Sequence, residues 1–491
     1  MSTQSMLTPR THGVWVGLLA LALPLFYGCA VNPATGERQL SFMSEAQEIA
    51  LGQQNDQQIV QQMGLYPDEG WQEYIQELGA ELAAKSERPN LPWTFRVVDD
   101  PVVNAFALPG GYIYITRGIL AHFNSEAELV SVLGHEIGHV TGRHGVERLS
   151  KAQLAQVGLG VATIAAGREY AGLAQMAGQG LGLLFLKFGR DDEREADDLG
   201  LRYLVRGGFA PDEMPKVFQT LDRVSAAAGS RLPGWLSTHP APANRADRIS
   251  EQIALLPPEQ RQGEVDRNGY LARLNGITFG MNPREGYSVG NTFYHPDMAF
   301  ALDFPEGWKI INQRQAVVGV SPEEDAVVVL TLAQADTPAA DVNNFFSQEG
   351  ITRGDAWRRN FYHFKAPRGQ ADAAGNQPEV WGLMGTVSHQ GQLLRLLSYT
   401  ADEKWNNRAA PMRQSLGSFR KLTQRKYLDV NPAAVKVVTL DRPMTLEAFH
   451  KRYPSNVELG ELAILNGVQA NETLPKGHRV KRIVGGELPN S

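Results

Sequence analysis

Apolar positions along this chain change period several times, and each change marks an element. Leu129, Val132, Leu133, Ile137 and Val140 recur at helical spacing, so residues 124–144 are predicted to be a helix with one apolar face. Ser125, with Glu128 three residues on, reads as a capping box at its start. Helices are also predicted over 43–63 and over 71–86, where Trp71, Ile75, Leu78 and Leu82 share a face. Residues 93–98, 104–108 and 112–116 read as strands, the last two joined by a Pro109-Gly110-Gly111 turn. Further helices are expected over 212–228 and 246–256, with a Pro-rich loop at 232–244 between them.

Downstream the pattern shifts. Residues 257–290 are polar, with Gly and Pro, and read as linker. Phe300 to Trp308 alternates and then turns, 326–332 is a β-rich apolar run, and 380–387 with 393–399 read as a hairpin around Gly391. A helix is expected over 405–416, and 436–484 has a strand-helix-helix-strand order. The basic stretch 420–426 reads as a solvated linker face. The fold class is therefore α+β. It comprises a mainly helical domain with a small sheet at 30–256, linker at 257–290, an α+β domain at 291–425 and a small βααβ module at 430–486.

Charge and cysteine content narrow the function. A net charge of −6 over 491 residues argues against nucleic acid as a partner. Cys29 is the one cysteine, so no internal disulfide forms. Before it, Arg10 is followed by an uncharged apolar run from Val14 to Tyr27 and then Gly28, the layout of an export signal over 1–29. The placement of Cys29 resembles a bacterial lipoprotein signal, with lipid on the cysteine tying the chain to a membrane; an uncleaved anchor is the alternative. Both put the body of the chain outside the cytoplasm. Ala30, not acidic, points to the outer membrane by the enterobacterial pattern.

The helix at 124–144 carries the chemistry. His135-Glu136-Ile137-Gly138-His139 places two imidazoles one turn apart on one face, a pair suited to Zn²⁺. Glu136 projects beside such a metal and can take a proton from water. A third ligand from a downstream histidine is unsupported, because that position is Gly145 and His144 falls one residue early. The alternative is a carboxylate on a second helix, and residues 190–197 supply one. Glu193 and Asp197 share a face there, while Glu195 points away. Glu193 is the candidate third ligand. Asp197 is the candidate partner for the second nitrogen of a ligand histidine.

His135-Glu136-x-x-His139 with Glu193-x-x-x-Asp197 resembles the M48 metallopeptidases, and within them the periplasmic bacterial branch. Asn104 to Gly111, Tyr112 to Gly118, and Ser237-Thr238-His239-Pro240 with Arg245 are similar to that family as well. The resemblance covers 42–253. It departs in having Gly189 where the family has Ser, and in lacking helical repeats after the catalytic domain. It implies a zincin-type endopeptidase with one zinc per chain, and an edge strand near Asn104, Ala105 and Phe106 that takes an extended substrate by strand addition. It also brings His239 to the metal, as a fourth ligand that holds the site off or as a residue that assists. Unfolded or misassembled envelope proteins are the implied substrates; a self-inhibited scaffold of the envelope is the alternative. The Gly/Ala/Leu-rich stretch 157–188 reads as helices covering the site. The turn at Phe304-Pro305-Glu306-Gly307-Trp308 resembles PsbP-type modules, and 430–486 resembles a LysM module, which implies peptidoglycan as a further partner.

Overall fold

The computed structural model describes residues 29–159, 188–228, 234–239, 244–367 and 378–489. The export signal falls outside these but for Cys29, as does nearly all of the covering stretch at 157–188. The described chain is mixed α+β and divides into two units. One holds the chain up to Ile277 together with Val435–Arg482; the other holds Thr278–Ala434 and the last residues.

The first unit opens with an antiparallel pair, β1 (Cys29–Val31) and β2 (Arg38–Leu40). The connecting stretch is a closed turn, because Asn32 Oδ1 accepts the Ala34 and Thr35 N–H groups at 2.9 and 3.3 Å. α1 (Glu45–Met63) starts on a reciprocal Ser44–Gln47 capping box, and α2 (Glu69–Ala83) buries Trp71, Ile75 and Leu82. β3 (Thr94–Val98), β4 (Ala105–Leu108) and β5 (Tyr112–Thr116) form a sheet in the order β3-β5-β4, with β3 parallel and β4 antiparallel to β5. Gly110 and Gly111, at φ +86° and +99°, make the turn that leaves β4 outermost.

α3 (Arg117–His122) leads into the motif helix, α4 (Glu126–Thr141). α4 ends earlier than the apolar pattern predicts, since Arg143 takes φ +56° and α5 (His144–Leu159) begins afresh. Its cap also differs from the predicted box. Ser125 Oγ accepts the Glu128 N–H at 3.2 Å, but the Glu128 carboxylate accepts from Asn124 N at 2.7 Å, one residue further back. α4 is buried on every side, so the one-faced expectation gives way. Its far side meets α6 (Arg190–Gly207) through glycines. A Cβ on Gly138 would lie 2.9 Å from the Ala196 carbonyl oxygen, and one on Gly200 3.0 Å from the His135 nitrogen. Only glycine permits this approach of the two backbones. α7 (Glu213–Ala228), α8 (Gly234–Thr238), α9 (Arg245–Leu255) and α10 (Arg267–Leu274) follow. α10 lies in the stretch expected to be linker. It is held there by Tyr270, Leu271 and Leu274, all buried, and by the Tyr270 hydroxyl on the Leu120 carbonyl at 2.7 Å.

The C-terminal piece of this unit has strand Ala433–Thr439, helices Leu446–Arg452 and Leu459–Asn466, and strand Arg479–Gly485, the order its sequence predicts. Leu446, Phe449, Leu462, Leu474 and Val480 form its own core. It is nonetheless docked on α3, the turn before α4, and α7. Lys481 is fully buried, and its ammonium donates to the Ala121 and Phe123 carbonyls at 2.9 and 2.8 Å. Arg223 adds a bond to the Val468 carbonyl at 3.0 Å. In the second unit, a seven-stranded antiparallel sheet includes the predicted hairpin, observed as Glu379–His389 with Gln392–Ala401. Helix Trp405–Gly417 and a four-stranded sheet complete it around Phe293, Phe300, Leu383, Leu396 and Met412. Its histidines serve local structure: His295 Nδ1 accepts the Met298 N–H, and His389 Nε2 meets the Met298 carbonyl.

Candidate metal centre

α4 and α6 cross at their glycines, which sets His135, His139 and Glu193 tip to tip, and His239 joins them from the end of α8. His135 Nε2 lies 3.0 Å from His139 Nε2 and 3.6 Å from Glu193 Oε2. Glu193 Oε1 is 3.5 Å from His139 Nε2 and 3.0 Å from His239 Nδ1. One donor atom from each of His135, His139, Glu193 and His239 falls within 4.8 Å of every other, and all four residues are buried. Three imidazole nitrogens and a carboxylate in this compass are a donor set of the zinc type. A second observation agrees. Both oxygens of Glu136, Glu193 Oε2 and His239 Nε2 are buried without a hydrogen-bond partner. Such groups are costly to leave unpaired, and a cation among them offsets that cost. The residues therefore fit a metal.

The surroundings hold the rings in place. His135 Nδ1 sits 3.0 Å from Asp197 Oδ1, and Asp197 accepts in turn from Arg245 Nε at 2.7 Å and Arg248 Nη2 at 3.1 Å. Trp235 stacks on His239 and Phe188 on His139, with ring centroids 4.2 and 3.9 Å apart. Burial pushes the Glu136 carboxyl up to about 7 and, with Arg245, pulls the His135 ring down to about 4. Burial also holds His139 well below its ordinary value. Burial opposes charge on Glu193, yet the His239 and His139 rings hold its carboxyl well below the usual range. Burial likewise opposes charge on His239, but Glu193 and Glu136 outweigh it and raise that pKa.

The predicted residues divide into two groups. His135, Glu136, His139, Glu193, Asp197 and His239 converge. Of the predicted substrate strand, Ala105 and Phe106 lie on β4 at the sheet's outer position and Asn104 just before it, but Phe106 turns inward and stacks on Tyr114 at 4.8 Å. Ala107, Leu108, Pro109, Val146 and Phe188 line a cavity that reaches His139. The side chain of Cys29 lies outside what is described. Phe188, Trp235, Arg248 and His144 also belong to the site, and no local pattern marks them. Each is placed by a fold contact from a separate element.

Comparison with known proteins agrees with this geometry. The model of peptidase family M48 matches residues 70–253. The chain carries an M48 peptidase domain. It is 31% identical over 256 residues to the beta-barrel assembly-enhancing protease of Escherichia coli (strain K12), covering 51% of this chain and 52% of that one. The protein of the same name from Yersinia pestis is 34% identical over 252 residues, 50% of this chain and 52% of that one. The mitochondrial metalloendopeptidase OMA1 of Arabidopsis thaliana is 32% identical over 196 residues, 38% of each chain. The chain thus spans about half or less of the length of these curated relatives. Among solved structures, cyanobacterial PsbP from Synechocystis sp. PCC 6803 covers 28% of this chain and 95% of that one at 14% identity and a TM-score of 0.19, a level that establishes no shared fold.

Proposed function

We propose that this chain is a zinc metalloendopeptidase of the bacterial envelope that cleaves unfolded or misassembled envelope proteins. The observation that carries the reading is the buried group of His135, His139, Glu193 and His239, with Glu136 beside it, hydrogen-bonded on neither oxygen and facing His239 Nε2 at 3.5 Å. His135, His139 and Glu193 would hold the zinc, and Asp197 would fix the tautomer of His135 through its Nδ1. A bound Zn²⁺ supplies Lewis acidity, which acidifies water and polarises a carbonyl. Glu136 is the general base. Beside the metal its carboxylate would accept a proton from water and return it to a leaving nitrogen. β4 receives the substrate as an added strand, which favours extended chain over folded protein.

His239 completes the donor set. A fourth protein ligand makes a closed site with no open position, and this suits a resting state that opens when substrate arrives. The names of the similar proteins support barrel proteins of an outer membrane as the substrate class. Lipidation at Cys29 and binding of peptidoglycan by the C-terminal piece remain part of the proposal on sequence resemblance. Among the described residues no helix is long and apolar enough to cross a membrane.

The test is metal content with hydrolysis of an unfolded protein. The parent should hold about one zinc per chain and degrade the substrate. Glu193→Ala should lose most of the metal, because two histidines alone make a weak site. Full retention of zinc in that variant would sink the ligand assignment. Metal without any hydrolysis would favour the scaffold reading.

A further inference from the structure

Two residues in this site have no role in the chemistry above. His144 stands too early in sequence for a ligand position, and Glu195 sits on the side of α6 away from Glu193. The structure brings them together. His139 Nδ1 lies 2.9 Å from His144 Nδ1, and His144 Nε2 faces Glu195 Oε1 at 3.4 Å, an ion-pair distance without a formed hydrogen bond. Glu195 Oε1 then accepts from Asn32 Nδ2 at 2.6 Å. The Asn32 amide can be oriented only one way, since its Oδ1 already takes the two turn N–H groups. His144 and Asn32 are buried, and Glu195 between them is partly exposed.

We propose that His144 and Glu195 form a positioning pair for His139, completed by Asn32 from the β1–β2 turn. The pair does for the second motif histidine what Asp197 does for the first. A carboxylate facing Nε2 keeps the His144 proton on that nitrogen and leaves Nδ1 as an acceptor. His139 then donates from its own Nδ1, and its Nε2 lone pair faces Glu193 and His135. Gly142 is part of the arrangement: a Cβ there would lie 2.6 Å from His144 Nε2 and 2.9 Å from Glu195 Oε1, so a side chain would drive the pair apart. Asn32 stands three residues after Cys29, so the segment that would carry a lipid is also the segment that steadies Glu195.

This inference rests on the reading of His139 as a zinc ligand, and its test separates the two. Zinc affinity is measured on the full chain by chelator competition, the Co²⁺ absorption spectrum is recorded, and thermal unfolding is followed without metal. His144→Phe should weaken zinc binding about ten- to a hundredfold and shift the Co²⁺ spectrum, with metal-free unfolding unchanged. His144→Gln, whose amide oxygen can still accept from His139, should recover most of the affinity. Glu195→Gln and Asn32→Ala should show smaller losses in the same order. If His144→Phe fails to fold, the partly exposed Glu195 decides, and Glu195→Gln with parental affinity and spectrum overturns the proposal. Parental binding in a folded His144→Phe overturns it directly. A parent that takes up neither Zn²⁺ nor Co²⁺ overturns the ligand reading, and the pair with it.

Discussion

The two ends of the motif helix carry the same kind of group in opposite circumstances. Glu128 in the first turn of α4 and Glu136 two turns on are both buried, and burial pushes each carboxyl up to about 7. Glu128 is provided for: it accepts the Asn124 N–H, and Lys481 and Arg267 supply charge nearby. Glu136 has no hydrogen-bond partner on either oxygen. A shifted pKa therefore does not separate structural from reactive carboxylates in this helix. Position does: Glu136 lacks hydrogen bonds on both oxygens within a group of metal-type donors, and Glu128 does not stand among such donors.

Substitution of both residues by glutamine puts that contrast to its hardest test. Glu136→Gln should lower the hydrolytic rate by about 10²–10⁴-fold with zinc and thermal midpoint retained, since an amide cannot act as base. Glu128→Gln should leave the rate per folded molecule near the parent's. Comparable rate losses in both would erase the distinction. Next in size, Lys481→Ala should destabilise the chain by about 2–4 kcal/mol, because the Ala121 and Phe123 carbonyls lose a buried donor. Denaturant titration measures it, and a change under ~0.5 kcal/mol would show the docking to be incidental.

Stability against pH sharpens the same comparison at the structural end. The Glu128 carboxyl is raised from 4.5 to about 7, so between those values the folded chain keeps a proton that the unfolded chain has lost. That contribution is full below about 4.5 and disappears as pH rises through 7. Glu128→Gln should remove the Glu128 share of this slope and leave that of Glu136, raised to the same value, which denaturant midpoints taken across pH 4.5–7.5 would record; an unchanged slope assigns it elsewhere. The smallest effect concerns His239. His239→Ala should raise basal hydrolysis severalfold with zinc bound, because a closed four-ligand set gains an open position. A lowered rate would make His239 a residue that assists.

The legible part of the site was what helical spacing places on one face. His135 and His139 are one turn apart on α4, as are Glu193 and Asp197 on α6, and any helix bearing them presents them together. The hairpin of β4 and β5 was legible because its glycines permit one kind of turn. What spacing does not carry is the partner across a gap. His144 and Glu195 read as misplaced until α5 restarts after Arg143 and turns the ring back toward His139. The stretch at 257–290 looked like linker because its polar residues outnumber Tyr270, Leu271 and Leu274, which are enough to seat one short helix. The docking of Lys481 rests on two carbonyls and a buried carboxylate, and no pattern within its own segment announces them.

Lys481 and Ala121 are separated by 360 residues, and this sets an order of events during synthesis. A chain made from its N-terminus has α3 and the turn before the motif helix in hand long before the strand that contacts them. The intervening unit, Thr278–Ala434, must be completed first. Closing so distant a contact is slow, since the chain entropy is lost before the contact returns anything. The segment before α4 thus lacks its Lys481 contacts until residues 435–482 have been made.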